Sequence, residues 1–210
     1  MHVLRTILIH SNNILKNKIM KKVILFAMTF CLGLTAHAEN TDISELENVI
    51  YFDPVTVLAG TQHTLSVKMK NSVEAEGFGF DLYLPNGMTV AIDGDGFPEV
   101  ALSLERTNEK KTNSFDAAFQ PDGCLRVLAA STNGSAISGN DGEVCLITII
   151  VAMDMSEGDY PVYLRNIAVS DTNAQSHRTD EVEMSISVEE SDGRIGLYEN
   201  STEVPAFAQG

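Results

Sequence analysis

Phe78-Gly79-Phe80-Asp81-Leu82-Tyr83-Leu84 alternates with a period of two: Phe78, Phe80, Leu82 and Leu84 share one side, and Gly79, Asp81 and Tyr83 share the other. Successive side chains of an extended chain point to opposite faces, so this heptad reads as a strand buried on one side only. The same period recurs outward from it, at Val49-Ile50-Tyr51-Phe52-Asp53 and at Thr64-Leu65-Ser66-Val67-Lys68-Met69-Lys70. Further strands are predicted over 88–92, 100–104, 114–119, 124–130, 144–152, 160–169 and 182–188. Turn chemistry stands between them: Pro85-Asn86-Gly87, Asp93-Gly94-Asp95-Gly96, Gln120-Pro121-Asp122-Gly123, Ser138-Gly139-Asn140-Asp141-Gly142 and Glu157-Gly158-Asp159. Helical spacing is nearly absent. Many short strands joined by glycine-rich turns predict an all-β fold, two antiparallel sheets packed face to face as a sandwich of about nine strands. Leu65, Val67, Phe78, Phe80, Leu82, Val127, Ile147, Ile149 and Val162 are the expected core, with Phe115, Phe119 and Tyr160 also turned inward. The run 144–151 is apolar on both phases except at Thr148, which predicts a central strand covered on both sides.

Of 210 residues, 44% are hydrophobic, so a sizeable core can form, and the formal net charge is −15. All 29 acidic residues lie at or after Glu39, whereas five of the 14 basic residues (Arg5, Lys16, Lys18, Lys21 and Lys22) precede it. From Glu39 onward the charge is therefore 9 − 29 = −20. Such a surface repels phosphate backbones and anionic membranes, and no basic run overrides it, which argues against nucleic acid as a partner.

The basic residues at the front belong to an export signal. Met20-Lys21-Lys22 is followed by an apolar run over 23–34 and then by Thr35-Ala36-His37-Ala38, a small-residue cleavage site. Cleavage is expected after Ala38 and the true start at Met20, making 1–38 an extension plus signal peptide. The apolar run is shorter than the roughly 20 residues of a bilayer crossing, so no stable membrane span is expected after cleavage. Cys31 follows a bulky Phe30, which does not suit a lipidation site. Residues 39–47 read as a flexible lead-in, 48–188 as the sandwich, and 189–210, opening on Glu189-Glu190-Ser191-Asp192-Gly193, as a linker or tail. Export places the chain in an extracellular, cell-surface or periplasmic compartment where disulfides form. Cys124 nevertheless shares its phase with Arg126 and should face outward, whereas Cys145 alternates with Ile147 and Ile149 and should face inward. Opposed faces cannot bring two Cβ atoms within about 4 Å, so two free thiols are expected.

Catalytic machinery is sparse. After the signal only His63 and His177 remain, both expected in solvent, the second in a polar loop over 171–181. There is no G-x-S-x-G, H-E-x-x-H, C-x-x-C or phosphate-binding glycine loop. Asp93-Gly94-Asp95-Gly96 opens like a calcium loop, but the twelfth position is Leu104 and Phe97-Pro98 interrupts the middle, so a plain turn is expected; Asp141 likewise reads as hairpin chemistry. With 29 acidic residues a glycosidase-like carboxylate pair can always be chosen, which deprives it of meaning. Trp is absent, and only Tyr83 and Tyr163 look outward from strands, too few for a sugar-stacking platform. The reading is a non-enzyme with no cofactor and no metal.

Four segments in order carry a family resemblance: 77–90, with its strand ending in a proline turn; Gly123-Cys124-Leu125-Arg126-Val127-Leu128-Ala129; the loop closing on Gly142-Glu143 before an apolar strand; and Gly158-Asp159-Tyr160-Pro161-Val162-Tyr163-Leu164-Arg165-Asn166-Ile167. Over about 48–188 the chain resembles the cohesin family. The resemblance implies a nine-stranded jelly-roll related to some carbohydrate-binding modules. It also implies a secreted or cell-surface role in holding dockerin modules within polysaccharide-degrading assemblies. Residues 192–206 look like the linker that joins such a domain to further modules in longer bacterial surface proteins. The family's partner-binding face corresponds here to 78–84, 114–119, 124–130 and 160–167, with Asp81, Tyr83, Arg126, Leu128, Tyr163 and Arg165 outward. The implied partner is a dockerin-like protein; a polysaccharide, bound as by a carbohydrate-binding module, or an uncharacterised structural surface role stays open as the alternative.

Overall fold

The computed structural model describes residues 40–107 and 113–190. They form eleven strands: β1 (Val49–Phe52), β2 (Val55–Leu58), β3 (Gln62–Lys70), β4 (Ala75–Tyr83), β5 (Met88–Val90), β6 (Val100–Leu102), β7 (Asn113–Phe119), β8 (Leu125–Ser131), β9 (Glu143–Val151), β10 (Gly158–Asp171) and β11 (Ser176–Glu189). One sheet runs β1-β3-β9-β5, with β6 also paired to β9, and the other runs β2-β11-β10-β4-β8-β7. No α-helix occurs among the described residues, and none of their helices is long and apolar enough to cross a membrane.

The period of two places the core. Leu65 and Val67 of β3 and Ile147 and Ile149 of β9 meet Phe78, Phe80 and Leu82 of β4, Val127 of β8 and Val162 of β10, and all nine are buried. Each such aliphatic or aromatic side chain withdrawn from water contributes about 1.5–3 kcal/mol, so a one-residue slip of any strand would expose its whole set. Phe115 and Tyr160 pack at the core's margin, but Phe119, expected inside, is 45% exposed at the end of the edge strand β7.

Eleven strands form where about nine were expected, and the one that none of the predicted segments covers, β2, arises because the first segment crosses between sheets. Phe52 pairs with Val67 in one sheet, and Val55 pairs with Ile186 in the other, in parallel, so Asp53-Pro54 is a crossover. The two sheets are otherwise antiparallel. β9 is central in its sheet but covered on one face only: Leu146 and Thr148 are half-buried and Ile150 is 38% exposed. Scattered exposed aliphatics of this kind are normal on a globular surface. The polar segment expected as a loop is instead the tip of a long hairpin, with Ser170 opposite Ser176 and the turn held by Asp171, whose Oδ1 accepts from the backbone N–H groups of Asn173 and Gln175. Its polarity reflects strand residues that face water. His177 is half-buried there, 3.1 Å from Asp171 Oδ2, and His63 is half-buried on β3; neither lies in open solvent.

The lead-in, expected to be flexible, is tied down from residue 40: Thr41 N–H donates to the Glu183 carbonyl, and Asn40 Oδ1 accepts from Ser185 N–H. At the far end of β3, Arg106 is 4% exposed and donates to the carbonyl oxygens of Met69, Ser138 and Gly139 and to Asn71 Oδ1, clamping two loops onto the strand. Asp93 makes the expected turn, its Oδ1 accepting from the N–H groups of Asp95 and Phe97, and Asp141 accepts from the Tyr51 hydroxyl. Both cysteines are free thiols. Cys124, however, is buried and not exposed: its backbone N–H donates to Asp122 Oδ1, and the Tyr83 hydroxyl donates to the other oxygen of the same carboxylate. The export signal over 1–38 and the tail beyond 190 lie outside the described residues.

Candidate functional site

The inward phase of β4 leaves Gly77, Gly79, Asp81 and Tyr83 on the outer face of the six-stranded sheet. The neighbouring strands bring side chains to it by register: Asp81 lies opposite Arg126 on β8 and Arg165 on β10, Gly79 opposite Leu128, and Tyr83 opposite Tyr163. All six residues implied by the resemblance therefore lie on three adjacent strands, and β7 adds Asp116, opposite Leu128.

They differ in what they can offer a partner. Asp81, expected as an outward contact, is only 1% exposed. Arg126 donates to it through two bonds of 2.7 Å, Nε to Oδ1 and Nη2 to Oδ2, and Asn166 Nδ2 donates to Oδ2 at 2.7 Å. The bidentate fork is a strong, planar geometry that holds both partners in one orientation. Arg126, and then Asn166, keep the Asp81 carboxyl below the usual carboxylate range. Asn166 reaches it from a bulge between Arg165 and Ala168, in left-handed backbone (φ 51°) that asparagine tolerates better than most residues. Asp81 thus positions Arg126, whose side chain remains 44% exposed.

Tyr83 and Tyr163 are half-buried, and the Arg165 guanidinium lies over both rings, 4.9 Å and 5.1 Å from their centres. Arg165 also pairs with Glu181. The Tyr83 hydroxyl donates to Asp122 Oδ2 at 2.8 Å, and that carboxylate pushes the phenol's pKa up. Each stacked cation adds about 0.5–1 kcal/mol at a partly exposed site, so the aromatic pair is rigid before any ligand arrives. Leu128 is the apolar centre of the patch, 50% exposed and leaning over Gly79.

Sequence reasoning missed the shape beside these residues. Gly77, Gly79, Ala130 and Ala168 floor an open groove of about 600 Å³ that Leu128 and Asp116 border. The pattern Gly77-Phe78-Gly79 was a readable signal, since glycine recurring on one phase of a strand marks close approach of another group. Nothing in the sequence marked Asn166 or Asp122 as the groups that orient Asp81 and Tyr83. No group of three or more His, Cys, Asp or Glu side chains suited to a metal ion occurs among the described residues.

No protein-family model matches the sequence, and no curated protein is similar to it. Solved structures do match the fold. A non-cellulosomal cohesin from the archaeon Archaeoglobus fulgidus superposes with a TM-score of 0.54 at 17% identity, over 74% of this chain and 99% of that one. A chain from the Coh-OlpA–Doc918 cohesin–dockerin complex of Clostridium thermocellum gives 0.55 at 18%, over 69% and 100%. The cohesin module of a family 33 glycoside hydrolase from Clostridium perfringens gives 0.53 at 13%, over 69% and 97%. The sandwich of this chain therefore has the fold of a cohesin module, and covers that fold from end to end.

Proposed function

We propose that this chain is an exported, non-catalytic docking module that binds a dockerin-type protein through the outer face of its six-stranded sheet, in a polysaccharide-degrading context. The observation that carries the reading is the half-exposed Leu128 set among pre-ordered polar and aromatic neighbours, Arg126 on Asp81 and Arg165 on Tyr83 and Tyr163. Protein interfaces concentrate binding in such centres, an apolar anchor with arginine and tyrosine around it, held rigid so that little entropy is lost on binding. The carbohydrate-binding alternative needs free aromatic faces, and Arg165 already occupies one face of each tyrosine. Of the exposed rings, Phe97 lies in the turn between β5 and β6 of one sheet and Phe119 ends β7 of the other. The signal read over 20–38, the acidic net charge of −15 and the complexed neighbour structures agree with the same reading.

The test is capture of dockerin-bearing exported proteins on the immobilised protein, with insoluble polysaccharides in parallel. Leu128→Asp should abolish capture while leaving the melting temperature within a few degrees, because the side chain is half in water in the free protein but would bury a charge in the complex. Retention on a polysaccharide with no dockerin captured would turn the assignment to the carbohydrate alternative, and turnover of any glycan would overturn both.

A further inference from the structure

The edge strands of the two sheets differ in length: β1 and β2 run four residues, β5 and β6 three, and β7 seven. An open edge is a template for a further strand, and proteins blunt it with brevity, lysine, proline or a bulge. β7 has none of these. Asn113-Ser114-Phe115-Asp116-Ala117-Ala118-Phe119 contains no Lys, Pro or Gly, and its register with β8, its one strand neighbour among the described residues, is unbroken. At the closing turn Gln120 N–H donates to the Cys124 carbonyl, and Gly123 N–H donates to the Gln120 carbonyl, so Gln120 turns both its backbone groups toward β8. The antiparallel ladder alternates from there: Ser114, Asp116 and Ala118 bond β8, whereas Phe115, Ala117 and Phe119 turn their N–H and C=O groups to the open edge.

Those three residues form a palindrome, Phe-x-Ala-x-Phe, about Ala117. We propose that β7 pairs antiparallel with β7 of a second copy of this chain, in the register that sets Ala117 opposite its own counterpart. Phe115 then lies opposite the second copy's Phe119, and Phe119 opposite its Phe115. All three pairs join residues whose backbone groups are free, at two bonds to a pair, about six in all. Both phenyl pairs fall on the inner phase, at the core margin where Phe115 already packs, so the exposed Phe119 ring is covered. Neighbouring registers fail. One residue earlier, the two Asp116 carboxylates stand directly opposite each other, whereas about Ala117 each faces an Ala118; one residue later, Pro121, which has no N–H, enters the ladder. Only strand edges are buried, less than the roughly 800 Å² per partner of a standard stable complex, so the dimer is weak and reversible. The net charge of −15 on each copy opposes it, and salt screens that repulsion. The pairing is independent of the docking reading, because it uses the edge of the six-stranded sheet and not its outer face.

The experiment is sedimentation equilibrium of the protein from about 10 μM to about 1 mM at low and high NaCl, with hydrogen exchange on the same samples. The mass should rise toward that of a dimer with concentration, more steeply at high salt, while the amides of Phe115, Ala117 and Phe119 gain protection. Ala117→Pro removes an N–H that faces the open edge in the single copy, where proline is tolerated, and should weaken association about tenfold with the circular dichroism unchanged. Phe119→Ser, at a half-exposed ring, should weaken it about fivefold and keeps the test decisive if the proline disturbs the strand. A protein that stays monomeric at the highest concentration and salt would overturn the proposal. So would a dimer that both variants leave intact, or one in which those three amides exchange as fast as in the single copy.

Discussion

Gly77 and Gly79 lie two residues apart on the same face of β4, neither at positive φ, yet an added methyl should act on them in opposite ways. A Cβ at Gly77 would stand 2.7 Å from the Ala129 carbonyl oxygen and 3.3 Å from Ala130 Cα, both backbone atoms of β8. Ordinary contact begins near 3.4 Å, so the paired strands must part by about 0.7 Å where they are hydrogen-bonded. Overpacking against a rigid neighbour costs about 1–3 kcal/mol, and the reduced freedom of the unfolded chain returns about 0.4–1 kcal/mol of it. Gly77→Ala should therefore lose about 1–2 kcal/mol and melt roughly 3–6 °C lower. A Cβ at Gly79 also meets an atom at 2.7 Å, but that atom is Leu128 Cδ2, the free end of a half-exposed side chain that can rotate away; the nearest backbone atom is at 3.4 Å. Gly79→Ala should melt within about 2 °C of the parent, while partner binding falls because Leu128 is displaced. Thermal denaturation by circular dichroism reads the first effect and calorimetry the second. Equal destabilisation by both substitutions, or none at Gly77, would refute the strand spacing on which the groove depends.

Asp81→Asn should cost about 1–3 kcal/mol at pH 7, since it discharges a buried acceptor of three hydrogen bonds. Arg126 holds the folded carboxyl below its unfolded value near 3.9, so its contribution is complete above about pH 5 and fades as pH falls through the folded value; urea melts from pH 7 to pH 2 should show a shallower acid loss in the variant. Arg106→Met strips four neutral oxygens of their donor and should cost about 3–5 kcal/mol in urea unfolding. Arg106→Lys should recover little of it, because one ammonium cannot span the fork. Burial pushes both thiols up, Cys145 the further, so neither should react with a thiol reagent at pH 8 until the protein is denatured, when both should react without reductant. A peptide linked through Cys124 and Cys145 would contradict that.

The core and the sheet faces were legible because they follow from a local rule. Period-two alternation in 78–84 assigns each side chain to one of two faces, and burying the apolar set then leaves no other register; hence the nine expected core residues are all inside. The same rule put Tyr83, Arg126 and Leu128 on the outer surface. What it could not supply was any quantity that depends on a neighbour distant in the chain. Asp81 and Arg126 are 45 residues apart and Asp81 and Asn166 are 85 apart, so the closing of Asp81 and the exposure of Arg126 follow only from strand register and a bulge. Cys124 is buried beside the Tyr83–Asp122 bond for the same reason, and the polar stretch 176–181 is strand because β10 supplies hydrogen bonds that its own composition does not predict. Facing is set residue by residue along the chain, whereas burial and pairing are set by which strands come to lie side by side.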